Sequence, residues 1–337
     1  MPEGFTALLI AVLVLAVLFD YINGFHDTAN AIATSVSTRA LKPGWAIAMS
    51  AAANFLGALT GTAVAKTVGT GLIQSQTEAG VAGQVLVAAA LVGAIAWNLF
   101  TWRLGIPSSS SHALIGGLLG SAAAAAGFTA WQIDGIVGKV LIPLVTSPVI
   151  GLFLALGFMI LIFNVFRRFN PHFMNDLFRR LQVLSAAYMA FSHGSNDAQK
   201  TMGIITLALV EAGILTTFEV PLWVIILAAT AISLGTAAGG WRIIKTMGTR
   251  VVKLDPVHGF AAETTAATVI FGASHFGMPV STTHVISSAI MGTGASDRFK
   301  AVRWGVARNI GIAWVLTIPA SGAVAALAYL VLNPILN

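Results

Sequence analysis

Two short polar stretches interrupt a chain that is otherwise strongly apolar. Residues 24–30 read GFHDTAN and follow an apolar run long enough to cross a bilayer, and residues 193–200 read HGSNDAQK and repeat the pattern. Polar and ionisable side chains are costly in hydrocarbon, so those within membrane segments usually face a partner, a cavity or an ion pathway. The duplicated stretches therefore predict two half-sites of a transport pathway. Their polar side chains are Asn23, His26, Asp27, Asn30, His193, Asn196, Asp197 and Lys200.

The aspartates and asparagines of these stretches indicate a cation site. A hard cation such as Na+ is held by carboxylate, amide and backbone oxygens, and interrupted membrane helices supply such carbonyls. The alternative is an aspartate that caps a half-helix, and the two roles are compatible. Lys200 stands where the first copy has Asn30, and it either pairs with Asp197 or a neighbour or attracts an anion. The predicted cation-binding residues are Asn23, Asp27, Asn30, Asn196 and Asp197, and the predicted Na+ ligands among them are Asp27, Asn30, Asn196 and Asp197.

Two runs of hydroxyl residues, each led by proline, indicate an anion site. Residues 107–112 read PSSSSH and residues 279–284 read PVSTTH. Proline favours the first turn of a helix, Ser and Thr supply caps, and the free N–H groups of a helix start attract anions. Two such starts that face each other would hold a tetrahedral oxyanion through neutral donors; alternatively, the hydroxyls only bond helix carbonyls. The predicted oxyanion ligands are Ser109, Ser110, Ser111, Ser281, Thr282 and Thr283.

Four histidines and one glutamate carry a weaker signal. His112 and His284 follow the hydroxyl runs, and we expect them to orient the loops, because each is turned about 100° from the preceding residue on a helix. His26 and His193 flank the aspartates and are candidate proton carriers or hydrogen-bond donors. Glu263 lies in an apolar helix, where we expect a buried ion pair or a hydrogen-bonded carboxyl.

Composition places the chain in the membrane. Of its 337 residues 57% are hydrophobic and only 9% are charged, and the mean hydropathy is +0.86, whereas soluble domains have about 25% charged residues. The net charge of +6 comes from loops that flank apolar spans, so it does not indicate nucleic-acid binding. The lack of cysteine excludes disulfides and thiolate metal sites. The first apolar run lacks the features of a cleaved signal, which predicts a retained first helix.

Long apolar runs predict the membrane spans, since a helix needs about 20 residues to cross the hydrocarbon core. Residues 29–36 are too few to span and are rich in Thr, Ser and Asn, so we predict that they form the second half of a broken helix. The predicted apolar segments are 5–22, 45–65, 83–100, 141–163, 183–192, 221–239, 260–273, 279–292 and 310–332.

The motifs recur in the same order at nearly one spacing. Asp27 and Asp197 are 170 positions apart, and the prolines at 107 and 279 are 172 apart. The residues Thr-x-Pro at 146–148 recur at 317–319. This recurrence predicts two structural repeats, residues 1–163 and 183–337, joined by an amphipathic basic linker, residues 164–182.

Loop charges indicate that the repeats are inverted. Positive charge in short loops marks the cytoplasmic side, and in each pair of corresponding loops one copy is basic and the other is not. Both chain termini lack Lys and Arg, while the central linker carries four arginines. We therefore expect inverted repeats, with the linker cytoplasmic and both termini outside. The basic residues of the linker are Arg167, Arg168, Arg179 and Arg180.

These motifs resemble a known family. Residues 24–35, GFHDTANAIATS, resemble the duplicated signature of the inorganic phosphate transporter (PiT) family, written GxNDxxNAIGTS, and residues 194–197 are similar to its second copy. The likeness extends over nearly the whole chain. His26 replaces the usual asparagine before the aspartate, and Gln199 and Lys200 replace the end of the second signature. These departures bear on the ligands and on the number of coupled ions.

The resemblance implies an all-α polytopic membrane protein built from two inverted-topology repeats, each with a broken helix and a re-entrant helical hairpin. It implies secondary symport of inorganic phosphate, coupled to Na+ or H+, by elevator-type alternating access. It further implies a homodimer in the cell (inner) membrane, with Na+ as the coupling ion and no cofactor, enzymatic activity or nucleic-acid partner. Transport of metal-phosphate or sulfate is the alternative within the same family.

Two other classes of protein compete with a symporter. An intramembrane Ser-His hydrolase is one, but Ser111 and His112 are adjacent and do not face each other on a helix, and the second copy has Thr283 in place of a serine. A passive anion channel is the other, and it needs no cation site. Dependence of uptake on an ion gradient distinguishes the symporter from the channel.

Overall fold

The computed structural model describes residues 6–74 and 81–336, and within these residues the chain is all-α, as predicted. The predicted first segment, 5–22, begins one residue outside the described part. Ile73 and Trp131 form an isolated bridge in place of a sheet. The helices are α1 (Ala7–Ser37), α2 (Pro43–Ala58), α3 (Ala63–Thr70), α4 (Val81–Leu104), α5 (Ser110–Ala126), α6 (Ile133–Ile136), α7 (Ile142–Phe166), α8 (Pro171–Glu211), α9 (Leu222–Ala238), α10 (Trp241–Lys245), α11 (Pro256–His275), α12 (Thr282–Asp297) and α13 (Trp304–Leu336).

Several of these helices are long and apolar enough to cross a bilayer. In the described chain four continuous segments qualify: α1, α4, residues Ile133–Phe166, in which a π-helical turn joins α6 to α7, and α13. Two further pairs of helices qualify if each bent pair is counted as one span. The prediction of a polytopic helical membrane protein is therefore confirmed.

The order of elements recurs along the chain. A long helix, a bent pair, a hairpin and another long helix occur as α1, α2–α3, α4–α5 and α7, and again as α8, α9–α10, α11–α12 and α13. Each hairpin turns at a glycine with positive φ, Gly105 at 67° and Gly277 at 65°, a conformation that a side chain rarely adopts. Each second hairpin helix then starts from a serine cap.

The predicted break beside Asp27 is wrong, because α1 is continuous through the signature and ends at Ser37. Its hydroxyl side chains bond helix carbonyls and so need no unwound backbone: Thr28 donates to Gly24 at 2.6 Å and Ser35 donates to Ile32 at 3.1 Å. The stretch holds several alanines, which favour helix, and no proline.

The breaks occur one element later in each half. α2 and α3 are bent by 72°, so the predicted segment 45–65 is not one continuous helix. α9 and the helix that begins with α10 are bent by 61°. Gly239, with φ at 73°, and Gly240 supply the second bend, since glycine tolerates this backbone conformation.

The predicted linker contains the beginning of α8. From Pro171 onward its residues belong to the same helix as the second signature, so residue 182 is not a helix end. Phe178 is buried and contacts Phe166 and Phe260 edge to face, while the four arginines of the linker are exposed. The segment is thus amphipathic and continuous with the helix that carries Asp197.

The two halves of the sequence interleave. α1 packs on α9 and α8 packs on α2, and both contacts are made through glycine. A Cβ on Gly24 would lie 2.2 Å from the carbonyl oxygen of Ile232, and one on Gly194 would lie 2.1 Å from that of Asn54. Because these glycines lie one turn before Asp27 and Asp197, the close helix contacts also position the aspartates.

The polar segments lie between two apolar clusters. One cluster contains the first half of α1 and the last part of α8, and the other contains Ala29–Ala33 of α1 together with Met189 and Ala190 of α8. α1 and α8 therefore run in opposite senses between the clusters, which is consistent with inverted repeats. The signatures occupy the middle of both helices.

Candidate functional site

Asp27 of α1 and Asp197 of α8 meet in the interior. Ligand atoms of Asp27, His193 and Asp197 all lie within 4.8 Å of one another, and the three side chains are buried. The prediction that the two signatures meet inside the protein is confirmed. A site that draws one carboxylate from each half can respond to movements of either half.

Asp27 has one bonded and one free carboxylate oxygen. Its Oδ1 lies 2.6 Å from Nδ1 of His26, whose Nε2 is 3.2 Å from the hydroxyl of Thr101 on α4. Its Oδ2 is buried and has no hydrogen-bond partner among the described residues. His26 thus holds the carboxylate in place and leaves one oxygen free for a ligand.

Asp197 is more fully bonded than Asp27. Lys200 contacts its Oδ1, and the hydroxyl of Thr282 donates to its Oδ2 at 3.0 Å. Nε2 of His193 lies 2.9 Å from Oδ2 of Asp197, but the two atoms are not aligned for a hydrogen bond. The other ring nitrogen of His193, Nδ1, is 3.0 Å from Oδ1 of Asn54. The expected pair of Lys200 with Asp197 is found, so the carboxylate on α8 already has a cationic partner.

Each signature reaches one of the hydroxyl hairpins. The amide of Asn30 donates to the hydroxyls of Thr282 at 3.3 Å and Thr283 at 2.9 Å, at the start of α12. The ammonium of Lys200 donates to the hydroxyl of Ser111, at the start of α5, and to the carbonyl of Val280 at 3.2 Å. The equivalent positions of the two repeats therefore bond the hairpins of opposite halves.

The two hairpins meet, as predicted. The hydroxyl of Ser111 lies 3.3 Å from the carbonyl of Val280, and the rings of His112 and His284 are 4.7 Å apart. His284 also stacks on Trp314 at 4.0 Å. Both rings are buried and contact each other, which agrees with the expectation that they orient the hairpins.

The six predicted oxyanion ligands are buried but play different local roles. Ser109 and Ser281 accept hydrogen bonds from the backbone N–H of residues 112 and 284, both at 3.2 Å, and so cap α5 and α12. Ser111, Thr282 and Thr283 bond the signature residues described above. Ser110 Oγ has no partner in the described part of the chain. The hydroxyls thus lie at two helix starts, where backbone N–H groups also collect.

The three predicted asparagines have side-chain oxygens without hydrogen-bond partners among the described residues. The amide of Asn196 donates to Ser274 Oγ at 2.8 Å and to the carbonyl of Met278 at 3.1 Å, so it binds the elbow between α11 and α12. Its Oδ1 and the Oδ1 atoms of Asn23 and Asn30 are buried and lack partners within the described ranges. Unpaired buried oxygens are costly, and a hard cation such as Na+ prefers such ligands. The donor set fits Na+.

Glu263 of α11 is a hydrogen-bonded carboxyl, one of the two arrangements expected. It accepts hydrogen bonds from Thr34 of α1 and Ser185 of α8, and Nε2 of Gln182 lies 3.4 Å from it. Glu263 is fully buried. This network ties α11 to the parts of α1 and α8 that lie beside the second apolar cluster.

Sequence analysis assigned no contact or role to three residues that belong to this region. Thr101 contacts His26, and Gln199 accepts a hydrogen bond from the backbone of Val64 at 2.8 Å, which anchors the start of α3. Asp20 is fully buried two turns before Asp27. The spacing of seven residues between the two aspartates was the available signal, because it places both on one face of a helix.

A surface opening leads towards the Asn196 side of the site. Lys66, Lys139 and His275 are among the residues that line a cavity of about 490 Å³ beside Gly277. A smaller cavity of about 100 Å³ lies next to it and shares Ala63 and His275. Its other polar lining residues are Thr60, Ser195, Gln199 and Ser274.

Comparison with known proteins identifies the family of this chain. The sequence profile of the PHO4 phosphate transporter family matches residues 23–325. The chain is 50% identical over 329 residues to a probable low-affinity inorganic phosphate transporter of Bacillus subtilis (strain 168), covering 97% of this chain and 98% of the relative. A protein of the same description from Rhizobium meliloti (strain 1021) is 48% identical over 96% of each chain.

A solved structure described as the sodium-dependent phosphate transporter has a TM-score of 0.91 and 27% identity, and the match covers 98% of this chain and 100% of that one. The matched family consists of transporters, which excludes the intramembrane hydrolase. The resemblance that the duplicated signature carried is confirmed over nearly the whole length. The chain therefore belongs to the PHO4 phosphate transporter family.

Proposed function

We propose that the protein is a symporter that moves inorganic phosphate together with Na+ across the cell (inner) membrane. The observation that carries the proposal is the pair of contacts made by Asn30, one helical turn after Asp27: its amide bonds the hydroxyls of Thr282 and Thr283, while its oxygen is buried without a hydrogen-bond partner among the described residues. One side chain thus belongs to both the predicted anion site and the predicted cation site. The description of the structural relative as sodium-dependent supports Na+ as the coupling ion.

Coupling follows from this shared side chain. Na+ held by Asp27 and the oxygen of Asn30 would fix the amide of Asn30, which in turn orients Thr282 and Thr283. A phosphate bound at the start of α12 would then meet ordered hydroxyls, so each substrate strengthens binding of the other. Such coupling is reciprocal by thermodynamic necessity. Asn196 and Asp197 complete the proposed Na+ ligands from the second half.

Phosphate binding is assigned to the starts of α5 and α12. Their backbone N–H groups and the hydroxyls at residues 109–111 and 281–283 offer many neutral donors, and the helix dipoles favour negative charge there. Lys200 touches Ser111 and adds a positive charge beside the anion. Because that ammonium is also paired with Asp197, it attracts phosphate without holding it as a bare cation would.

Access by alternating movement of the elevator type is the proposed mechanism. The hairpins carry the hydroxyls, and they pack on helices of the opposite half, α5 on α13 and α12 on α7. Lys66 and Lys139 give the cavity beside Gly277 a positive lining that favours entry of an anion. We further propose a homodimer of inverted repeats, with both termini outside and the central linker in the cytoplasm.

Uptake of radioactive phosphate into proteoliposomes tests the proposal. The variants are Asp27→Asn, Asp197→Asn, Ser110→Ala and Thr282→Ala, measured with imposed Na+, K+ and proton gradients. We expect uptake by the unmodified protein to require Na+. The aspartate variants should weaken cation activation, and the hydroxyl variants should raise the phosphate concentration needed for half-maximal uptake.

The outcomes separate the alternatives. Uptake driven by a proton gradient without Na+ would replace Na+ by H+ as the coupling ion, and uptake that follows only the phosphate gradient would indicate a channel. Competition by sulfate, or a requirement for divalent metal, would change the assigned substrate. Unchanged Na+ activation in both aspartate variants would remove the cation assignment.

A further inference from the structure

Two threonines outside the proposed binding sites hold the elbows of the two hairpins. The hydroxyl of Thr67 on α3 donates to the carbonyl of Gly277 at 2.7 Å. The hydroxyl of Thr246, which follows α10, donates to the carbonyl of Gly105 at 2.9 Å. Gly105 and Gly277 are the positive-φ glycines at which the hairpins turn. Each threonine therefore comes from the half of the sequence opposite to the hairpin that it bonds.

The two threonines occupy the same place in a repeated motif, which reads KTVGT on α3 and KTMGT where α10 ends. The glycine of each motif packs on a signature helix. A Cβ on Gly69 would lie 3.1 Å from the carbonyl oxygen of Gly203 on α8, and one on Gly248 would lie 2.6 Å from that of Ala33 on α1. Gly203 and Ala33 each lie six residues after the aspartate of their signature. Each motif thus joins a signature helix to a hairpin elbow.

Each of these hydroxyls has a second acceptor within reach, one turn earlier on its own helix. The Thr67 hydroxyl lies 3.4 Å from the carbonyl of Ala63, and the Thr246 hydroxyl lies 3.3 Å from that of Arg242. A threonine hydroxyl has one proton to donate. If the elbow moves away, the hydroxyl can bond the helix carbonyl instead, as Thr side chains in helices often do. The arrangement therefore suits a contact that breaks and re-forms.

A cationic side chain supports each elbow beside the threonine. Nη1 of Arg242 donates to the carbonyl of Arg103, in the last turn of α4, at 2.7 Å. Nζ of Lys139 donates to the carbonyl of Phe276, at the end of α11, at 3.4 Å. Carbonyls at a helix C-terminus carry partial negative charge and favour a cation. One hydroxyl and one cation from the opposite half thus hold each elbow.

The two elbow contacts lie on opposite sides of the polar segments. Val68 of α3 belongs to the apolar cluster that contains the first half of α1, and Met247, next to Thr246, belongs to the second cluster. Each threonine also lines a cavity together with the glycine that it bonds, one of about 490 Å³ and the other of about 420 Å³. The basic linker leads into the part of α8 beside the second cluster. In the proposed orientation Thr246 therefore lies on the cytoplasmic side and Thr67 on the outer side.

We propose that Thr67 and Thr246 are paired latches of the transport cycle: Thr67 holds the outer gate closed, and Thr246 holds the inner gate closed. They are positioning residues, because they act on phosphate through the elbows that precede the starts of α12 and α5. The inference rests on the proposed alternating access and names the contacts that break in turn on each side. Because each motif packs on a signature helix, a shift of that helix moves the latch as well.

Cysteine labelling tests the latches, because the chain has no cysteine of its own. Ser108→Cys and Val280→Cys each place one thiol directly after the proline of a hairpin, at buried positions that are 0% and 2% exposed. Each is combined with Thr67→Val or Thr246→Val in the full-length protein in sealed vesicles of known orientation. The rate of labelling by a membrane-impermeant maleimide is measured from both faces.

The matched controls are Thr70→Val and Thr249→Val, in the same two motifs. Their hydroxyls bond carbonyls of their own helices, at Lys66 and Lys245, at 2.8 and 2.6 Å. These variants should therefore label like the unmodified background. Thr67→Ser and Thr246→Ser keep the hydroxyl that bonds the elbow and should also label at the unmodified rate, which separates loss of the latch from a general effect of substitution.

We expect Thr67→Val to raise labelling of Val280→Cys about two- to tenfold from the outer face and to leave Ser108→Cys unchanged. The factor is the change in population that loss of one hydrogen bond produces. Thr246→Val should raise labelling of Ser108→Cys to the same extent from the inner face and leave Val280→Cys unchanged.

Two outcomes would overturn the inference. Unchanged labelling in both valine variants would show that neither hydroxyl holds a gate, and equal exposure of both cysteines by one valine variant would show general loosening instead. Na+-driven phosphate uptake by the unmodified protein is measured in the same vesicles. If uptake is present while the valine variants label normally, the latches are refuted and the proposed symport stands. Absence of uptake would refute the symport, and the labelling rates would still decide on the latches.

Discussion

The ammonium of Lys200 on α8 donates a hydrogen bond to the hydroxyl of Ser111 at the start of α5. The same ammonium contacts Asp197 and lies 3.2 Å from the carbonyl of Val280, in the elbow that precedes α12. This buried cation thus joins both hairpins to the second signature. In the first signature the equivalent position is Asn30, whose side-chain amide bonds two hydroxyls of α12.

Removing the charge of Lys200 is expected to destabilise the protein. Lys200→Met leaves Asp197 buried without its countercharge, and loss of one partner of a buried pair costs about 3–5 kcal/mol. Lys200→Asn restores the residue of the first copy, and we expect Na+ to substitute for the ammonium, so the variant should recover stability as Na+ rises.

Thermal unfolding of the purified protein at increasing Na+ measures both effects. Lys300→Asn, at an exposed position, is the control and should melt like the unmodified protein. Equal dependence of the melting temperature on Na+ in Lys200→Asn and the unmodified protein would contradict the prediction.

Asn30→Ala should weaken the binding of both Na+ and phosphate. The change removes the donor to Thr282 and Thr283 and also the buried amide oxygen that we propose as a Na+ ligand. A buried group left unsatisfied costs about 1–3 kcal/mol, which corresponds to a rise of roughly 5- to 150-fold in each half-saturating concentration. Proteoliposome uptake over a grid of Na+ and phosphate concentrations measures it, with the exposed Asn175→Ala as control. A rise for only one of the two substrates would refute the shared role.

Alanine at the glycine contacts between helices should cost stability. A Cβ on Gly24 would lie 2.2 Å from the backbone of Ile232, and one on Gly235 would lie 2.0 Å from that of Tyr21. Overpacking costs about 1–3 kcal/mol, so both variants should unfold at lower temperature. In Gly157→Ala, also within a helix, the added Cβ would meet nothing within 4 Å, and that variant should be neutral or slightly stabilised. Equal melting of all three variants would show that α1 and α9 can separate at no cost.

Glu263 is predicted to act as an acceptor in a structural network. Glu263→Gln keeps an acceptor for Thr34 or Ser185 and should stay close to the stability of the unmodified protein. Glu263→Leu leaves these hydroxyls and Gln182 without their acceptor, at about 1–3 kcal/mol for each unsatisfied group. Thermal unfolding compares the two, and Glu219→Leu, at an exposed site, is the control. Loss of Na+ binding in Glu263→Gln with unchanged stability would assign Glu263 to ion binding instead.

Much of the fold was readable from periodic features of the chain. The spacing of about 170 residues between the two signatures predicted the recurring order of elements, and the Pro-led hydroxyl runs predicted the hairpins. The break beside Asp27 was predicted wrongly, because Thr28 and Ser35 satisfy their hydroxyls on helix carbonyls and keep α1 continuous. Bends instead follow α2 and α9, and the second of them lies at Gly239 and Gly240. The polarity of a segment did not distinguish an unwound helix from an intact one.

The candidate site was likewise predicted in part. Residue types and their duplication identified Asp27, Asp197, Asn30 and the hydroxyl runs. They did not predict which of these residues contact one another. Asp20 was passed over, although its spacing from Asp27 places it on the same helix face. Only the structure shows that it is fully buried and that neither of its carboxylate oxygens has a hydrogen-bond partner among the described residues.

The sequence by itself determined a membrane-spanning helical protein, its duplicated architecture and the chemical classes of its ligands, because these depend on composition, spacing and side-chain type. Only the tertiary structure decided that Asn30 reaches α12, that Lys200 joins Asp197 to Ser111, and that Glu263 binds both signature helices. These contacts join residues between 3 and 253 positions apart, and most of them depend on how α1 and α8 cross the opposite half. Glycine-mediated packing between the halves sets those crossings, and a linear pattern of residues does not contain them.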